Sequence, residues 1–310
     1  MTEHADHSAH GRDGHGHAHA PTDFGKAFAI GIGLNIAFVL IEAIYGVWSN
    51  SLALVADAGH NLSDVLGLAV ACAAAVLGNR APTARYTYGM KGSSIMAALF
   101  NAVILLVAMG AIAWEAVRRF AEPAPVAGIT VMVVAGIGIL VNGVTAWLFA
   151  SGRKGDLNVK GAFLHMAADA AVSAGVVVAG LLITLTGWRW VDPVTSLAIA
   201  AMVVWSTWGL LRESVRMSLD AVPSGIDPGA VRAHLRDLDG VTAVHDLHVW
   251  PMSTTEVALT SHLVMPAGAD DTFLMRAAHE LKDRFGIAHV TLQVETSEAT
   301  ACALAPDGVV

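Results

Sequence analysis

Cysteine is nearly missing from this chain: two residues in 310. That excludes a disulfide-stapled scaffold and a cysteine-rich zinc module. Charge is scarce as well. Asp, Glu, Lys and Arg make up 14% against 55% hydrophobic residues, and mean hydropathy is +0.58. A soluble domain carries about a quarter charged residues, so most of this chain cannot face water. Basic residues number 18 against 26 acidic, and the net charge of −8 argues against a nucleic-acid partner. The first 23 residues hold no apolar run, so they do not read as a secretory signal. There is no G-x-x-x-x-G-K-[ST] loop to hold ATP and no H-E-x-x-H zinc-hydrolase motif.

What is present falls into zones. Residues 1–23 are low-complexity, with His4, His7, His10, His15, His17 and His19 among Gly, Ala and Asp. Nothing there can build a core, so a disordered tail able to capture metal weakly is expected. Six apolar stretches follow, at 27–47, 52–78, 92–117, 126–150, 161–186 and 191–211. Each can cross about 30 Å of hydrocarbon as a helix. They are too long and too uniformly apolar for barrel strands, and only helices or closed barrels satisfy a backbone in lipid. Residues 24–216 therefore read as a six-helix transmembrane domain with both ends on one side. Ten Lys/Arg fall on that side and three, Arg118, Arg119 and Arg189, on the other. That bias places both termini in the cytoplasm, with Trp48, Trp188 and Trp190 at the opposite interface. The expected location is the bacterial inner (plasma) membrane.

Residues 217–298 read as a cytoplasmic α+β domain. From 220 onward the chain carries 5 basic and 13 acidic residues. Asp227 and Pro228 can start a helix running to 238, which Gly240 stops. Residues 241–250 and 256–265 look like strands, 271–285 like an amphipathic helix ended by Gly286, and 290–295 alternates as a third strand. The order is αββαβ. About 70 residues is marginal for independent stability, which favours dimerisation. Residues 299–310 are expected to be a flexible tail.

Ionisable groups inside membrane helices are costly and rarely idle. The second stretch holds His60 and Asp64, and the fifth holds His165 and Asp169. Both are His-x-x-x-Asp, which puts the two side chains on one helical face. Two such faces meeting would offer two imidazoles and two carboxylates, an N2O2 set suited to tetrahedral Zn2+. Imidazole favours Zn2+, Co2+, Cd2+ or Ni2+ over Mg2+ and Ca2+. Asn35, Glu42, Asn101 and Asn142 are read as packing or supporting groups. Asp57, seven residues before Asp64, shares its side; capping the helix start and attracting ions at the outer opening both stand as readings. The acidic domain has His245, His248, His262, His279 and His289 beside Glu295, a further candidate metal cluster. Two readings stand for Cys302, a thiolate that reaches a second metal and a free buried thiol, and the second is favoured.

S-L-A-L-V-A-D-A-G-H-N-L-S-D (51–64), F-L-H-M-A-A-D-A (163–170), V-H-D-L-H-V-W (244–250) and H-V-T-L-Q-V-E (289–295) together resemble the cation diffusion facilitator family of zinc, cadmium and cobalt efflux antiporters. The resemblance spans about residues 25–296. It implies that His60, Asp64, His165 and Asp169 form the transport site, that His in first place marks the zinc-preferring group, and that Leu164 sits at an apolar gate. It also implies a metallochaperone-like, dimeric, metal-binding tail domain. His245, His262 and Glu295 match its ligand positions best, His289 and His279 less closely. Some members bind a further ion between helices 2 and 3. Here 81–91 reads A-P-T-A-R-Y-T-Y-G-M-K, without His or Asp, so no metal is expected. Arg85 and Lys91 should instead meet lipid phosphates or acidic groups of the tail domain.

The expected function is a secondary transporter, not an enzyme, that exports Zn2+ from the cytosol, with Cd2+, Co2+ and Ni2+ as further substrates, in exchange for H+. Zn2+ is then substrate and regulatory ligand, and no prosthetic group is expected. Partners are the lipid membrane and a second copy of the chain. The competing readings are a membrane-anchored metal sensor and an intramembrane zinc hydrolase.

Overall fold

A computed structural model describes residues 24–78, 80–150, 157–297, 302 and 304. The His-rich segment 1–23, the basic turn with Arg153 and Lys154, and most of 299–310 lie outside the described residues.

Six long helices come first: α1 (Phe24–Trp48), α2 (Leu52–Gly78), α3 (Ser93–Ala121), α4 (Gly128–Ala150), α5 (Leu157–Thr186) and α6 (Val191–Ser218). Helix is the conformation in which a long apolar segment pairs its own backbone. By length and composition α3, α4, α6 and the 163–186 part of α5 can each cross a membrane. α2 carries Asp57, His60 and Asp64 within its otherwise apolar run. α6 runs seven residues past its apolar stretch, through Arg212, Glu213 and Arg216, as a polar stem toward the tail domain.

Small residues let α4 and α5 approach closely. A Cβ on Gly180 would lie 2.9 Å from the Gly128 carbonyl oxygen, and one on Gly138 would lie 2.9 Å from Ser173 Oγ. At the end away from the tail domain, the start of α2 is capped by a residue of α6. Asp192, 1% exposed, accepts from Ser51 Oγ at 2.6 Å and from the Leu52 and Ala53 amides at 2.9 and 3.3 Å. Arg119 pairs with Asp192 at 3.5 Å and donates to Asn50 O at 2.6 Å. Nearby Leu54, Leu105, Met109, Val131 and Val203 fill that half of the bundle.

The tail domain is α7 (Pro228–Arg236), β1 (Ala243–Pro251), β2 (Val257–Val264), α8 (Asp271–Phe285) and β3 (Ile287–Glu295). Its order is the expected one. Asp227 caps α7 through the Gly229 amide at 2.9 Å, and Gly286 ends α8 at φ 72°. β3 starts three residues earlier than its alternation indicated. Ile287 is fully buried, so the strand begins as soon as Gly286 has turned the chain. β1 pairs antiparallel with β2, and β2 parallel with β3. The helices cover one sheet face around Val231, Leu235, Leu259, Leu263 and Leu281. The opposite face carries His245, His262, His289 and Glu295.

The connection between α2 and α3 touches the tail domain. Lys91 pairs with Glu256, the Thr254 amide donates to Ser94 Oγ at 3.1 Å, and the Tyr88 ring meets His289 edge-on at 5.4 Å. Lys91 thus takes the acidic-group alternative read from the sequence.

Candidate metal centres

α2 and α5 run antiparallel, so their two His-x-x-x-Asp units meet head to tail. His60 Nε2 lies 3.7 Å from Asp64 Oδ2 and 3.5 Å from Asp169 Oδ1. His165 Nε2 lies 3.1 Å from Asp64 Oδ2 and 3.6 Å from Asp169 Oδ2. The imidazole rings stand at 84° with centroids 6.1 Å apart. A tetrahedral ion with ligand bonds of about 2.0 Å has ligand-to-ligand edges of roughly 3.3 Å. Four of the six edges here fall around that length. Asp64 Oδ2 and His60 Nδ1 are buried atoms with no hydrogen-bond partner.

The four side chains differ in access. Asp64 and His165 are 38% and 43% exposed, while His60 and Asp169 are 13% and 4% exposed. The exposed pair is nearer the tail-domain end, where Leu164 is also exposed. Beyond the buried pair lies the apolar packing around Leu54 and Met109. The site is therefore open toward the tail domain and closed toward the far end.

Three neighbouring polar groups have roles that spacing did not reveal. The helix cap left open for Asp57 belongs to Asp192. Asp57 instead lies inside, accepting from Ser173 Oγ at 3.3 Å. Glu42 is fully buried and accepts from Asn61 Nδ2 at 3.2 Å. An acid alone in an apolar helix signals that it needs a partner, but which helix supplies one depends on packing. Asn101 behaves as read, accepting from Ser63 at 3.4 Å between α2 and α3.

The second centre lies on the open sheet face. His245 and His262 are directly opposed across β1 and β2, with rings 5.1 Å apart. Glu295 Oε1 lies 3.4 Å from His245 Nε2 and 3.0 Å from His262 Nδ1. Cys302 Sγ is 3.6 Å from His262 Nδ1. One ligand atom from each of these four residues lies within 4.8 Å of the others. The set of two imidazoles, a carboxylate and a thiol suits Zn2+, and His245 Nε2 is buried without a hydrogen bond. A one-residue bulge between His245 and His248 puts Asp246 at φ 49°. Its carboxylate then bridges His248 Nε2 at 2.9 Å and His262 Nε2 at 3.4 Å. Burial raises the Glu295 carboxyl, but the Cys302 thiol donating to it and the two imidazoles outweigh that and hold it below its usual range.

The other two tail candidates are elsewhere. His289 shares the open face but sits at the opposite end of β3 from Glu295, about 20 Å along the strand, against Tyr88. His279 is exposed on α8, its Nδ1 2.7 Å from the Met275 carbonyl oxygen. Cys302, for which the sequence favours a free thiol over a metal-reaching thiolate, is the residue that joins the cluster.

Residues 28–217 match the model of the cation efflux transmembrane domain, and residues 223–297 that of the cation efflux protein cytoplasmic domain. The chain is 35% identical over 290 residues to a cadmium, cobalt and zinc/H+-K+ antiporter of Bacillus velezensis, covering 92% of each chain. It is 36% identical over 284 residues to the zinc transporter ZitB of Escherichia coli K12, covering 91% of each. It is 35% identical over 286 residues to the metal cation efflux protein CzcD of Cupriavidus metallidurans, covering 91% of this chain and 90% of that one. A solved metal-bound C-terminal domain of that organism's CzcD is 32% identical, covers 23% of this chain and 99% of its own, and superposes with a TM-score of 0.21.

Proposed function

The chain belongs to the cation efflux family, whose members are membrane transporters and not enzymes, and from that membership we propose that it carries Zn2+ out of the cytosol in exchange for H+, with His60, Asp64, His165 and Asp169 holding the ion in transit. The observation that carries this reading is the meeting of two imidazoles and two carboxylates with His-to-Asp edges of 3.1 to 3.7 Å. Two carboxylates neutralise a divalent charge inside a low-dielectric bilayer. Two imidazoles bias the choice toward Zn2+, Cd2+ and Co2+, the ions in the relatives' names. Ligands must shed protons to take metal, and an emptied site can take them up again, so metal and proton flows are linked.

His245, His262, Glu295 and Cys302 are the ligands of a second, regulatory Zn2+. Their domain matches the family's cytoplasmic domain and supports a homodimer. The basic side of the membrane domain and both termini face the cytosol of a bacterial inner membrane. This orientation turns the open face of the transport site toward the cytosolic metal pool.

Zinc, cadmium and cobalt uptake into proteoliposomes under an imposed pH gradient tests the reading. Flux driven by the gradient and abolished by His165→Ala is expected. Normal flux in that variant removes the site assignment. No flux in a folded wild type supports the sensor reading instead.

A further inference from the structure

One buried acidic pair lies beside the metal ligands and takes no part in holding the ion. Glu42 of α1 and Asp57 of α2 are both 0% exposed, and their carboxyls pair with each other. Asn61 donates to Glu42 Oε2 and Ser173 to Asp57 Oδ2. The remaining oxygens, Glu42 Oε1 and Asp57 Oδ1, receive no hydrogen bond. An ionised carboxylate can only accept. Two of them side by side in a low-dielectric interior repel, and a single proton between them removes the repulsion and supplies the missing donor. The titratable groups that face the pair are His60 on α2 and Asp169 on α5. Among the described residues, no Lys or Arg pairs with either carboxyl, so neither is balanced by a fixed cation.

We propose that Glu42 and Asp57 form a proton-binding site that shares one proton between two carboxyls and releases it when Zn2+ enters the adjacent ligand set. The geometry supplies the linkage. Asp57 is three residues from His60, about 5 Å along the helix axis, and Ser173 is one turn from Asp169. A divalent cation at that distance favours the ionised pair. A proton on the pair in turn makes the neighbourhood less negative and weakens Zn2+ binding. Metal and proton therefore displace each other without competing for the same ligand atoms. This rests on the antiport reading above, and it gives the H+ a binding place of its own.

The test is zinc-induced proton release from purified full-length protein in weakly buffered solution, comparing wild type with Glu42→Gln and Asp57→Asn. Both substitutions keep shape and hydrogen bonding but remove a proton-sharing carboxyl. Release lower by about one proton per zinc in each variant is the expected result, with zinc still bound. Equal release in all three proteins overturns the proposal. Infrared difference spectra of the wild type give a second measurement that needs no variant. A protonated-carboxyl carbonyl band lost on adding Zn2+ is expected, and its absence overturns the proposal. A pair occupied by K+ would give no such band and a release that depends on K+, which overturns it too. Loss of metal flux in the wild type would instead defeat the antiport reading, because proton release is measured without transport.

Discussion

Replacing Asp169 by Asn should weaken zinc binding at the transport site far more than replacing Asp64 by Asn. Asn is nearly isosteric and keeps an oxygen donor, so the comparison isolates charge. Asp169 is 4% exposed and lies within 3.6 Å of both imidazoles. Removing one charge from a buried, paired set costs about 3–5 kcal/mol. At about 1.4 kcal/mol per decade that is a loss of affinity of roughly 150- to 4,000-fold. Asp64 is 38% exposed, so water replaces part of what it provides, and a charge-assisted contact there is worth about 1.5–3 kcal/mol. The two variants should therefore differ by roughly tenfold or more. Calorimetric zinc titration in lipid nanodiscs, with the tail site removed by His262→Ala in every protein, reads the difference directly. Equal losses, or a greater loss for Asp64→Asn, would refute the idea that burial ranks these ligands.

The tail cluster should lose zinc affinity by at least about tenfold in His262→Ala, while His279→Ala and His289→Ala stay within a factor of about three; competitive chelator titration checks this. Metal-free stability of the tail sheet should fall in acid. The lowered Glu295 carboxyl stabilises the fold above the ordinary carboxylate range, and that contribution is lost as pH falls through its lowered value. Amide exchange in β1 and β3 should accelerate there in the wild type and show a flatter pH profile in Glu295→Gln. Deleting residues 1–22 should slow transport at low zinc yet leave substantial flux at high zinc, since a histidine tract raises local metal concentration without lining a path; complete loss with normal insertion would contradict this.

Much of the bundle could be read before any coordinates. Lipid allows a long apolar segment few conformations, so α2 and α4 ended where their apolar runs did. The i, i+4 units His60–Asp64 and His165–Asp169 showed which faces had to meet, because each pair shares a face by helix geometry alone. The rest depended on contacts between distant segments. Asp192 caps a helix 140 residues away, and no local pattern points to that partner. Glu42 looked like a packing residue because its neighbour Asp57 lies on another helix. In the tail, strand alternation placed Glu295 and Gln293 on one sheet face and left the direction of His289, near the strand start, open. Register put His245 and His262 together at the Glu295 end and left His289 at the other. Cys302 came into reach through the path of the chain after β3, where periodicity carries no information.

The unequal exposure of the four proposed transport ligands also bears on how fast an ion can be taken aboard. A hydrated divalent cation reaching the open mouth meets Asp64 and His165 while much of its water shell is still in place. It can trade part of that shell for these two groups, then trade more for His60 and Asp169 as it sinks one helical turn further. Dehydration is thereby divided into two rungs, and no step leaves the ion bare. Zn2+, which readily accepts nitrogen ligands in a four-coordinate shell, can climb both. Mg2+, which dehydrates reluctantly and demands octahedral oxygen, halts on the first. Discrimination against the most abundant cytosolic divalent cation is then set by the loading kinetics as well as by the final affinity.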